Sequence, residues 1–146
     1  MITNVGRAAL TKNIARGNQP LIACAIGDGG SDPVYATDIA ASINDVQLAH
    51  QIYFSPTIDV IESLLPPVSD YPRVRVTHAF FASLVVPSGT PVSYIDEFGV
   101  FTKDPDTGLY VMVYRETFPR RTFRVPATGI SVSRDTRTVT TQFGIV

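Results

Sequence analysis

The chain has 146 residues, 45% hydrophobic and 17% charged, with a net charge of −1 and a single cysteine. That is enough chain for one buried core. It offers no global basic footprint for nucleic acid, no internal disulfide and no multi-cysteine metal site. No apolar stretch approaches the roughly 20 residues that cross a bilayer, and no basic region leads into an apolar run at the N-terminus, so neither a membrane span nor a classical export signal is expected.

Residues 1–146 read as a single domain. Charge is uneven along it: residues 1–72 sum to −4 and residues 73–146 to +3. Such polarity suits head-to-tail contact with another copy or docking on a charged partner.

The opening "ITNVGRAALTKNIARG" reads as a helix with Ile2, Val5, Ala9, Leu10 and Ile14 as its apolar stripe. Thr3 or Asn4 suits the N-cap, Arg16 the last turn and Gly17 the residue just past the C-cap. A short buried strand follows, Leu21 to Ile26, and runs into the turn "GDGG". That turn lacks the Lys-Ser/Thr of a phosphate loop and the glycine spacing of a dinucleotide site. Asp28 and Asp32 lack the ligand ladder of a calcium loop, so the turn is expected to be structural.

"ATDIAASIND" is a weakly helical or irregular link. "VQLAHQIYFSPTIDVIESLLPP" is extended, with Pro56 marking an edge or a bulge. "RVRVTHAFFASLVVP" alternates, with Val74, Val76, His78, Phe80, Ala82 and Leu84 on one face and Arg75, Thr77, Ala79, Phe81 and Ser83 on the other. "SGTP" closes that strand.

Then comes "SYIDEFGVFTKDPDTGLYVMVYRETF", with Asp96 and Glu97 side by side in an extended run. Strand pleating sends neighbouring side chains to opposite faces, which removes a paired-carboxylate catalytic site. Glu97 shares its face with Ile95, Gly99 and Phe101 and therefore needs a cation or backbone donors; Arg115, Arg120 and Arg121 are the nearest basic candidates. "TKDPDTG" has turn chemistry, and the segment reads as a hairpin. The last third holds short Thr/Val-rich strands with a turn near "SRDT". The fold class is thus α+β: an N-terminal helix packed on a mostly antiparallel sheet or sandwich of about five to seven strands.

Catalytic and metal constellations are not expected. His50 and His78 have no metal-ligand spacing, and no nucleophile elbow occurs. The densest basic and aromatic patch is Arg115, Phe118, Arg120, Arg121, Phe123 and Arg124, a composition preferred at protein interfaces. Tyr53, Tyr71, Tyr94, Tyr110 and Tyr114 offer an alternative reading as sugar-stacking platforms of a carbohydrate-binding module for host-surface recognition. A hydrolase built on Asp96 or His78 would need a cleft and a perturbed pKa.

The order of three motifs resembles the N-terminal region of phage tail-collar fibre proteins. The matching positions are Thr3, Gly6 and Leu10 in the helix, then Gly27, Asp28 and Gly29. In the hairpin they are Ile95, Glu97, Gly99, Phe101, Asp106, Gly108, Leu109 and Pro119. The resemblance implies a non-enzymatic virion protein, assembled in the host cytoplasm, that anchors tail fibres to the baseplate. It further implies homotrimers, other tail proteins as partners, no cofactor, no nucleic acid and no membrane. Gly27, Asp28, Gly29, Glu97 and Gly99 are then structural motif residues. The hairpin loop is longer than usual for that family.

Overall fold

The computed structural model describes residues 1–32, 39–67, 73–80, 92–124, 130–135 and 144–145, with side chains for all of these except 73, 79–80, 92–93, 121–124, 130–135 and 144–145. One helix, α1 (Asn4–Ala15), precedes eight strands: β1 (Ala23–Gly27), β2 (Gln51–Ser55), β3 (Val60–Leu64), β4 (Arg73–Phe80), β5 (Val92–Lys103), β6 (Tyr110–Arg124), β7 (Ile130–Asp135) and β8 (Gly144–Ile145). They form two antiparallel sheets, in the orders β2-β1-β5-β6 and β3-β4-β7-β8. The fold is α+β, as the patterning predicts, with more strands than the five to seven expected.

The main core lies between the sheets. Cys24, Ile26, Ile95, Phe98, Val100, Tyr114 and Phe118 of the first sheet meet Val76 of the second. Alternate residues of β1 serve a second cluster on the other face, where Ala23 and Ala25 pack with Leu48, Phe101 and Met112. Every residue of β1 is therefore buried. This explains its unbroken apolar run, since a strand covered on both faces has no solvent side on which to alternate.

The helix begins as expected, with Thr3 as N-cap accepting the Gly6 N–H at 3.0 Å, and Gly17 beyond its C-cap takes a left-handed φ of 72°. Its buried face matches the predicted stripe only in part: Ala9 is buried and Ile2 and Leu10 are half-buried, but the rest differs. Val5 is 41% and Ile14 68% exposed, whereas Gly6, Ala9 and Asn13 are covered. The cause is close approach. A Cβ at Gly6 would lie 2.7 Å from the Met112 carbonyl oxygen, so the helix rests on β6 backbone to backbone and small residues must face it. Asn13 is buried because its amide donates to Thr102 Oγ1 (2.7 Å) and to the Lys103 carbonyl (2.8 Å).

The first residues extend the sheet. Ile2 bridges Tyr114, the Thr3 N–H donates to the Val113 carbonyl and the Arg115 N–H to the Met1 carbonyl. Residues 39–45 are irregular apart from a tight turn, one of the two readings of the link, and irregular backbone continues through residue 50, where the extended stretch was expected to begin at Val46. Pro56 lies just past β2 and ends it, because a residue without an N–H cannot continue the ladder. The β5–β6 hairpin closes through Asp104 N–H to Leu109 O (2.9 Å) and Gly108 N–H to Asp104 O (2.8 Å), with Gly108 at φ 69°. Strand β7 runs on through Ser133 and Asp135, where a turn was expected. The predicted continuation of β4 through Leu84, the "SGTP" turn and Tyr71 lie outside the described residues.

Candidate functional site

Where the "GDGG" turn meets the hairpin, the two adjacent carboxylates are both fully buried. Pleating predicted opposite faces for them. The register between β5 and β6 shifts by two residues between Ile95↔Arg121 and Glu97↔Thr117, so the bulge lies in β6, where Phe118, Pro119 and Arg120 span the single residue Asp96. Beside this irregularity both carboxylates reach the same glycine loop, through consecutive amides. The Gly29 N–H donates to Glu97 Oε1 at 3.1 Å, and the Gly30 N–H to Asp96 Oδ1 at 2.6 Å.

Glu97 collects three more partners. The amides of Ala49 and His50 donate to Oε2 (2.9 Å) and Oε1 (2.7 Å), and Arg115 binds Oε2 through Nη2 (2.8 Å) and Nε (3.2 Å). The expected cation is therefore Arg115, which also reaches Asp45 Oδ2 with Nη1 at 2.8 Å. Burial tends to raise the Asp45 pKa, but the Ser42 N–H and the Arg115 guanidinium outweigh it and hold that carboxyl below its ordinary value. A buried carboxylate is tolerable only when charge and lone pairs are matched in this way.

The glycines of the motif follow from crowding. A Cβ at Gly29 would stand 2.5 Å from the His50 amide nitrogen, and one at Gly30 would run into the Asp96 backbone. At Gly27 it would meet the His50 carbonyl oxygen and Glu97. Gly99 is looser, with Leu48, Phe101 and Met112 side chains 3.1–3.3 Å away. Asp28 closes the edge: its N–H donates to the His50 carbonyl (3.1 Å), and its carboxylate pairs with His50 Nδ1. That partner raises the His50 pKa above its ordinary value.

The expected interface patch requires correction. Arg115 and Phe118 are only 4% and 5% exposed, the first consumed by Glu97 and Asp45 and the second part of the main core. Arg120 is partly exposed; its guanidinium lies 4.2 Å over the Tyr94 ring and its Nε is 3.5 Å from Asp96 Oδ2. Arg121, Phe123 and Arg124 continue β6, but their side chains lie outside the described residues. The tyrosines also disperse. Tyr114 is buried, Tyr53 packs on the main core, Tyr94 lies under Arg120 and Tyr110 meets Phe54 edge-on, so these four form no shared platform.

Among the described residues no group of three or more His, Cys, Asp or Glu side chains could hold a metal ion. His78 is 6% exposed and lies 3.4 Å from Asp59, in the second sheet, and burial lowers its pKa. Cys24 is buried, and desolvation pushes its thiol up to about 12. Comparison with protein-family models, curated proteins and solved structures found no match. The arrangement is a clasp: two inward carboxylates that tie the glycine loop, residues 45–50 and the hairpin together, with no open face on Glu97 for a substrate.

Proposed function

We propose that this chain is a structural protein of a phage tail, a baseplate or tail-fibre adaptor that works by holding neighbouring subunits rather than by chemistry. One observation carries the reading. Several positions shared with tail-collar fibre proteins interlock. Thr3 and Gly6 seat the helix on β6, Gly27 and Gly29 admit Glu97 and the 45–50 segment, and Gly108 makes the hairpin turn. A motif set scattered over more than a hundred residues thus describes one mechanical unit, which is what an anchoring module requires. The low charge of the chain also suits a surface partly covered by neighbours.

The test is co-expression with the baseplate and fibre subunits of a tailed phage, followed by antibody labelling of assembled particles. Stable co-purification and label at the tail tip are the expected outcome. A protein that joins no tail subunit and leaves particles unlabelled would sink the proposal.

A further inference from the structure

The second sheet ends at β3, which pairs with β4 over five unshifted positions, Val60↔Thr77 to Leu64↔Arg73. Among the described residues no strand pairs with its other edge. Residues 59–67 are exposed throughout except Leu64, and the exposure includes Val60 (43%), Ile61 (39%) and Leu65 (56%). Edge strands are ordinarily protected by lysine, an internal proline, a bulge or a covering segment. Among the described residues none of these guards Val60 to Leu65: the run "VIESLL" has one charge, Glu62, and that stands opposite Arg75 on β4. An exposed, largely apolar strand edge is a template for another strand.

The pattern of the strand itself indicates whose strand. In antiparallel pairing of two copies about a twofold axis at Ser63, Ile61 of each copy faces Leu65 of the other on one side of the sheet. Ser63 faces its own counterpart on that same side, and Glu62 falls opposite Leu64, so no like charges meet. This is also the side on which Ile61 stands opposite the buried Val76, so the pairing prolongs an apolar face already present. Pro66 and Pro67 end the ladder on each side. We propose that β3 is an interaction edge whose occupant is a second copy of this chain, joined through β3 into one continuous antiparallel sheet. The inference needs only the edge and stands independently of the tail reading.

Sedimentation of the full chain from about 1 to about 200 µM tests it, the contact being at the small end of specific interfaces. The mass should rise from one chain to two. Ile61→Lys should remain monomeric throughout with an unchanged circular-dichroism spectrum, because the side chain is already exposed. Leu109→Lys, at a 66% exposed site on the hairpin, should dimerise like the parent. Ser63→Cys should form a disulfide-linked dimer under mild oxidation at least ~10-fold faster than Leu109→Cys, since paired strands bring opposed Cβ atoms within about 5 Å. Cys24 adds no background, being buried. A monomer at every concentration, a dimer indifferent to Ile61→Lys, or an unaffected three-chain mass would each overturn the proposal. The last would do so while leaving a threefold tail assembly intact.

Discussion

Glu97 gathers four donor residues from three separate stretches of chain, Gly29, Ala49 with His50, and Arg115, which makes it the residue with most to lose from a change of one atom. Gln in its place keeps the shape but sets an NH2 against N–H donors and leaves Arg115 with Asp45 alone. Removing one partner of a buried pair costs about 3–5 kcal/mol, so Glu97→Gln should lower the urea midpoint by a large fraction of total stability. Asp45→Asn should cost less, because the Asp45 side chain is 23% exposed and water screens it. Equal losses would mean that Glu97 is not the centre of the clasp. The glycines divide in the same manner. Gly17→Ala meets nothing within 4 Å and should cost only about 1 kcal/mol, for its left-handed backbone. Gly29→Ala must displace the His50 amide and should cost more, about 1–3 kcal/mol. The need of Glu97 for a cation was legible from its place in an apolar strand. The donors at Ala49 and His50 were not, because backbone amides leave no mark in a residue pattern.

At the scale of elements, what was legible depended on how local the cause is. The hairpin could be read because Pro105, Asp106 and Gly108 make their turn without help from elsewhere. The bulge of β6 opposite Asp96 could not, since a register shift exists only between two strands. The helix was placed correctly, and its inward face was right at Ala9 but wrong at its ends. Its apolar stripe at Val5 and Ile14 is outward, and contact with β6 is set by what fits at Gly6. That contact gives an unusual expectation for Gly6→Ala. Alanine improves helix propensity by about 1 kcal/mol, but its methyl would stand 2.7 Å from the Met112 carbonyl and from Thr3 Oγ1. Overpacking against backbone wins, so hydrogen exchange of the α1 amides should speed up in this variant. Unchanged or slower exchange would show that the helix has room to move.

For the molecule as a whole, two histidines pull stability in opposite directions around the same pH. His78 is buried and its folded pKa is lowered, so the unfolded chain takes up its proton first and stability falls as pH drops below about 6.5. His50 is raised by Asp28, so its contribution is complete below about 6.5 and fades as pH climbs through the higher folded value. The His50 pair is exposed and worth little. The buried histidine should dominate, and melting temperature should rise between pH 5 and pH 7. Asp28→Asn should steepen that rise by removing the opposing term, and NMR titration should show the His50 pKa returning toward its ordinary value. A melting temperature that falls over this range would contradict the assignment.

The clasp also carries a consequence for the order in which the chain folds. Its parts lie at residues 29, 49, 50, 97 and 115, so a nascent chain must expose its first 115 residues before the clasp can close, and the Gly29 amide lies 68 residues from Glu97. Contacts of such long separation are slow to form, and interactions made after the folding barrier act mainly by slowing escape from the native state. The clasp then works as a lock on the finished fold rather than a guide to it. Once shut, it would keep the chain folded for far longer than its equilibrium stability alone would suggest.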